Sequence, residues 1–207
     1  MATIRSRGPA PPPFRSIGSG VCTPGLIPGL LMLAFFFHPP QVRAQGTPSE
    51  FRAKAEYVFN FFRFIQWPDD AFSDAKAPVV IGILGEDPFG NQLPQAIYGK
   101  TVQGHDLVIR RYRAGDDLRA IHVLFIGAFE RKRLPQILAG LGGSSVLTIG
   151  EMDRFLEAGG VIQFAFENSH LRFAINVDAA DRARLRVSSK LLSVAQYVQA
   201  NGVPGKN

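Results

Sequence analysis

Residues 78–90 read PVVIGILGEDPFG. Val79, Val80, Ile81, Ile83 and Leu84 make a short apolar run broken only by Gly82, and a run without polar alternation predicts a strand covered on both faces. It is read as the central strand. Behind it, Gly85-Glu86-Asp87-Pro88-Phe89-Gly90 supplies a backbone able to turn sharply, an acidic pair, and a proline suited to the first turn of a helix. The unit is strand, loop, helix. In open α/β sheets ligands and partners are met at the carboxyl ends of strands, so this turn is the first place to look for a site.

Working outward, Phe51, Ala55, Val58, Phe59, Phe62 and Ile65 recur at helical spacing, and Tyr57, Phe61 and Phe64 widen the stripe. This predicts a buried helix from Pro48-Ser49 to Trp67-Pro68. Downstream, a short helix from about Asn91 to Tyr98 stops at Gly99, and Lys100 to Asp106 reads as a polar turn. A second strand begins at Leu107 and ends in Arg110, Arg111 and Arg113; the arginine that faces the covered side needs an acidic partner. A third strand covers Ile121–Ile126 and a fourth Val146–Ile149, with a helix over Glu130–Leu141 between them and Phe155 and Leu156 on the next helix. Val161–Glu167 and Leu171–Asn176, separated by Asn168-Ser169-His170, form a hairpin. Helices over Asp178–Arg186 and Lys190–Gln199 close the chain. The expected fold is an α/β three-layer sandwich, a mixed and mostly parallel sheet with helices on both faces.

The N-terminus reads as targeting sequence. Arg5, Arg7 and Arg15 precede an apolar run from Leu26 to Phe37, and Val42-Arg43-Ala44 ends in a small residue at a plausible cleavage point. Residues 1–44 are therefore expected to be a cleaved signal peptide, and 45–207 a single exported domain. The apolar run is too short for a spanning helix, which needs about 20 residues. With no Asp or Glu before Glu50, the segment holds four of the six net positive charges. A formal +2 is left on 45–207, and a nucleic-acid partner, which needs a clustered basic face, loses its support. Cys22, the sole cysteine, lies in the same segment, so neither a disulfide nor a thiolate site is expected in the mature chain.

Few residues suggest chemistry. His105, His122 and His170 are spread along the chain without the close spacing of a compact metal site. His122, inside an apolar strand, reads as a hydrogen-bonded core histidine. The Glu86-Asp87 pair reads as turn chemistry before an acid/base pair, and the loop lacks the glycine spacing of a nucleotide site. No catalytic residue, metal or cofactor is expected.

The segments Lys54–Pro68 (KAEYVFNFFRFIQWP), Ile81–Gly90 (IGILGEDPFG), His122–Gly127 (HVLFIG), Val146–Glu151 (VLTIGE), Ile175–Ala180 (INVDAA) and Ser188–Leu192 (SSKLL) together resemble the YfiR family. That resemblance spans nearly all of residues 51–198. It implies a periplasmic α/β protein, not an enzyme, that represses a membrane-bound diguanylate cyclase through its periplasmic sensor region and so lowers cyclic-di-GMP and biofilm formation. Members often carry cysteine just before the His122 motif, where this chain has Ile121, so redox control does not carry over. A histidine kinase is the other inner-membrane partner considered, a homodimer is left open, and a small-ligand receptor is the alternative function. If the first and fourth strands run parallel, Glu86, Asp87 and Glu151 emerge at one edge. The expected binding surface is that edge with Gly90, Phe89 if exposed, and Trp67 as the aromatic anchor.

Overall fold

Thr47 opens the first helix. Its hydroxyl accepts the Glu50 N–H at 3.3 Å and Pro48 takes the first position, a cap worth about 1 kcal/mol. The computed structural model describes residues 47–168, 170–200 and 203–206; the signal segment expected over 1–44 lies outside them, as does Ser169 of the hairpin turn.

In chain order the elements are α1 (Pro48–Phe61), β1 (Ile65–Gln66), β2 (Val79–Leu84), α2 (Gln92–Ile97), β3 (Thr101–Val102), β4 (His105–Tyr112), β5 (Val123–Ile126), α3 (Leu134–Gly140), β6 (Leu147–Gly150), β7 (Ile162–Glu167), β8 (His170–Asn176), α4 (Val177–Arg182), β9 (Arg186–Val187), α5 (Ser189–Val194), β10 (Tyr197–Ala200) and β11 (Val203–Lys206). Short 3₁₀ turns cover Asp69–Ala71 and Ala128–Arg133. One sheet runs β11-β10-β8-β7-β6-β5-β2-β4-β3, and β1 pairs separately with β9. β2 is parallel to both β4 and β5, β5 to β6, and β6 to β7; the β7–β8 hairpin turns antiparallel. The chain is thus α/β with a mixed sheet, and β2 is buried at every residue.

The alternation of β2 divides the apolar cover. Val79, Ile81 and Ile83 join a cluster with Ala55, Val58 and Phe61 of α1 and Leu93 and Ile97 of α2, whereas Val80 and Leu84 meet Leu134 and Ile137 of α3 with Phe155. Fully burying each such side chain contributes roughly 1.5–3 kcal/mol. On the second face Phe155 packs beside α3 from a turn. An added Cβ would lie 2.1 Å from its ring at Gly160 and 2.6 Å at Gly150, so both glycines are there to admit the ring.

Four expectations are corrected. α1 stops at Phe61 rather than Trp67, because Ile65 pairs with Val187 and the Phe64 carbonyl accepts the Ser188 N–H at 2.8 Å. Within the expected polar turn, Thr101 and Val102 pair with Asp106 and His105. Phe155 and Leu156 lie in consecutive turns, where Arg154 takes a φ of 62°. The closing helix ends at Val194, and Tyr197–Gln199 instead pair parallel with Ala174–Asn176.

Candidate partner-binding edge

Leu84, Ile126 and Gly150 stand in register at the carboxyl ends of β2, β5 and β6, so the residues that follow them share one edge. Glu86 and Glu151 leave it two strand spacings apart, roughly 10 Å. Between them, Gly127 passes so close to the β2 loop that a Cβ there would sit 3.0 Å from the Glu86 nitrogen, which packs the two turns together. Phe129 then emerges with 80% of its surface exposed.

The two carboxylates of the β2 loop have different work. Glu86 is exposed. Asp87 organises the loop: one oxygen accepts the backbone N–H groups of Phe89 at 2.8 Å and Gly90 at 3.2 Å, and the other takes Nε and Nη2 of Arg111 at 2.8 and 2.7 Å. Arg111 is the strand arginine that finds an acidic partner. Gly90 is exposed with a φ of 51°, a conformation glycine adopts without strain.

Glu151 is held from below. Lys54, on the buried face of α1, donates to Glu151 and pairs with Glu50 at 2.9 Å. Burial lowers the Lys54 pKa, but the hydrogen bonds and negative charges of Glu151 and Glu50 more than offset this, and the pKa ends above the ordinary lysine value. The protonated ammonium thereby ties the first helix to the carboxyl edge of β6.

Trp67 and Phe89 do not belong to this surface. Phe89 is buried, its ring edge-to-face with Phe125 at 4.8 Å, and pegs the loop to the core. Trp67 is 6% exposed, and its Nε1 donates to the His122 carbonyl at 3.2 Å. That places it before the start of β5, at the other end of the parallel strands from Glu86. The exposed aromatic of the carboxyl edge is instead Phe129. Its signal in the sequence was an aromatic two residues after the strand-ending glycine of HVLFIG.

His122 is the expected core histidine, with both ring nitrogens occupied. Nδ1 accepts the Val80 N–H at 3.1 Å and Nε2 donates to the Ala71 carbonyl at 3.1 Å. Phe72 stacks between the His122 and His105 rings, at 4.7 and 4.1 Å, so two histidines distant in sequence share one stack. Burial, above all, lowers the His122 pKa; the hydrogen bond to Ala71 opposes this and the charge of His105 adds to it. The folded state therefore binds a proton less readily than the unfolded chain, and this contribution to stability is complete above the unfolded pKa of about 6.5 and lost as pH falls below it. Protonation would also turn Nδ1 into a donor facing the Val80 N–H. Thermal melts should show stability falling from pH 7.5 to pH 5.5 and a flatter profile in His122→Asn; equal slopes in the two proteins would contradict the assignment.

Among the described residues no group of three or more His, Cys, Asp or Glu is placed to hold a metal ion. Two of the surface grooves among the described residues bear on binding. One of about 510 Å³ lies between α1 and α2, lined by Arg52, Glu56, Arg63, Gln95 and Lys100 over the Phe59 ring; the other, about 380 Å³, lies beside β4.

The family model described as YfiR/HmsC-like matches residues 51–196, well over half of the chain. The chain belongs to the YfiR/HmsC-like family. No curated protein matches it. The match begins within α1, three residues before Lys54, and ends just before β10. It therefore takes in every part of the carboxyl edge of this YfiR/HmsC-like domain, the Lys54–Glu50 tie excepted only for Glu50 itself.

Proposed function

We propose that this protein is a periplasmic regulator that binds the periplasmic sensor region of a membrane-bound diguanylate cyclase and represses it, lowering cyclic-di-GMP. The observation that carries the proposal is the YfiR/HmsC-like match over residues 51–196. Support comes from the carboxyl edge, which offers what a protein partner needs: an exposed aromatic, Phe129, between the carboxylates of Glu86 and Glu151. Phe129 is the anchor, while the carboxylates set orientation and association rate more than affinity. Asp87 and Gly90 shape the loop that presents Glu86. The proposal takes the domain as a three-layer frame in which α3 and the 152–156 turn form the thinner layer. It also takes residues 1–44 as a cleaved signal peptide; mass spectrometry of the periplasmic protein should find Gln45 at its N-terminus, and a full-length product in the inner membrane would defeat that part.

Residues 45–207 used as bait on solubilised inner membranes should retain a diguanylate cyclase with a periplasmic region. Recovery of a histidine kinase instead would keep the module and change the partner. Phe129→Ala should weaken retention by more than about 1 kcal/mol with the melting temperature unchanged; retention equal to the parent's would remove Phe129 from the surface. The alternative, a small-ligand receptor, is favoured by the 510 Å³ groove between α1 and α2, which falls within the usual size of ligand pockets. A small molecule co-purifying without any membrane protein would decide for it.

A further inference from the structure

We propose that the free edge of β4 is a docking strand for an extended acidic segment of a partner protein, which joins the sheet beside it. The proposal rests on the reading of this protein as a partner-binding regulator and names a surface and mode of contact for it. β2 pairs with β4 along all of Leu107–Tyr112, but on the outer side β3 reaches only Asp106 and His105. From Leu107 to Tyr112 the outer side has no strand partner among the described residues. The Tyr112 carbonyl accepts the Gly85 N–H on the β2 side, so by alternation the backbone groups of Leu107, Ile109 and Arg111 point outward.

The surroundings fit an added strand. The 380 Å³ groove runs beside this edge between Leu107 and Ile109 on one side and Pro94, Ile97 and Tyr98 on the other, and Tyr98 is 88% exposed. Alternate apolar side chains of an incoming strand would enter it, the division of labour by which added strands are bound: backbone bonds hold them and side-chain pockets select them.

Charge selects the occupant. Arg110 and Arg113 are exposed and have no ion pair among the described residues. Charged side chains commonly protect an edge from pairing with its own kind, and Arg110 stands at the middle of the unpaired stretch. Residues 1–46 of this chain are also excluded as occupant, since they carry Arg5, Arg7, Arg15 and Arg43 and no acid. A segment with Asp or Glu toward Arg110 and apolar residues toward the groove is complementary on both faces.

The test uses residues 45–207 and a capped seven-residue peptide of alternating glutamate and valine, followed by amide hydrogen exchange and a binding titration. The expected result is saturable binding that slows exchange at Leu107, Ile109 and Arg111. Tyr98→Ala and Arg110→Glu, both at exposed positions, should each weaken it at least tenfold with melting unchanged. A peptide N-methylated on its edge-facing residues should not bind, nor should a lysine–valine counterpart. Absence of saturable binding, protection elsewhere, or equal binding of the N-methylated peptide would overturn the proposal. So would protection of the same amides that grows with the protein's own concentration, which would assign the edge to a second copy. No cyclase enters this experiment, so its failure leaves the membrane partner to be judged by the bait experiment, and the reverse holds.

Discussion

Phe61→Ala should destabilise the domain by about 3–5 kcal/mol, the range for deleting a buried aromatic. Phe61 is fully buried, stacked with Phe164 at 5.9 Å and edge-on to Phe173 at 5.2 Å. Truncation would empty the contact between α1 and the β7–β8 hairpin, which Tyr57 only borders, at 5.5 Å from Phe173 and 6.2 Å from Phe164. Phe59, two residues earlier, is a foil: it is half-buried under the Lys100 ammonium, 4.1 Å from its ring centroid. Phe59→Ala should cost only about 1 kcal/mol, the scale of a surface cation–π contact with modest burial. Urea unfolding of the two variants measures the difference; equal losses would mean that the face of α1 is assigned wrongly.

Lys54→Met should cost about 2–4 kcal/mol, somewhat below the 3–5 typical of breaking a fully buried pair. The methionine keeps most of the packing, so the loss isolates the charge. Without the ammonium, Glu50 and Glu151 are left with only 16% and 26% of their side-chain surface open to water and no common counter-ion. A deficit under about 1 kcal/mol in urea unfolding would show that the tie between α1 and β6 is incidental to stability.

Much of the frame is legible along the chain, because its signals are local. VVIGIL has no polar face and becomes β2, Gly99 closes α2, and Asn168 turns the β7–β8 hairpin at a φ of 49°. What escapes reading is set by residues far apart. Trp67 next to Pro68 looks like a half-exposed helix end until the His122 carbonyl, 55 positions away, takes its indole N–H. Lys54 sits in line with Ala55, Val58 and Phe61 and is buried because Glu151 reaches it across 97 positions. Ile65 continues a helical stripe, but Val187 offers a strand partner. In the candidate site the loop residues and their common edge followed from parallel strands, whereas which aromatic was exposed depended on Phe125 claiming Phe89 and leaving Phe129 outside.

Repression of a cyclase from its periplasmic side can be measured where that side is accessible. Spheroplasts of a strain lacking this protein expose the outer face of the inner membrane, and purified residues 45–207 can be added to them while cyclic-di-GMP inside is followed. The account predicts that cyclic-di-GMP falls, and falls less with Phe129→Ala; an unchanged or rising level would contradict it.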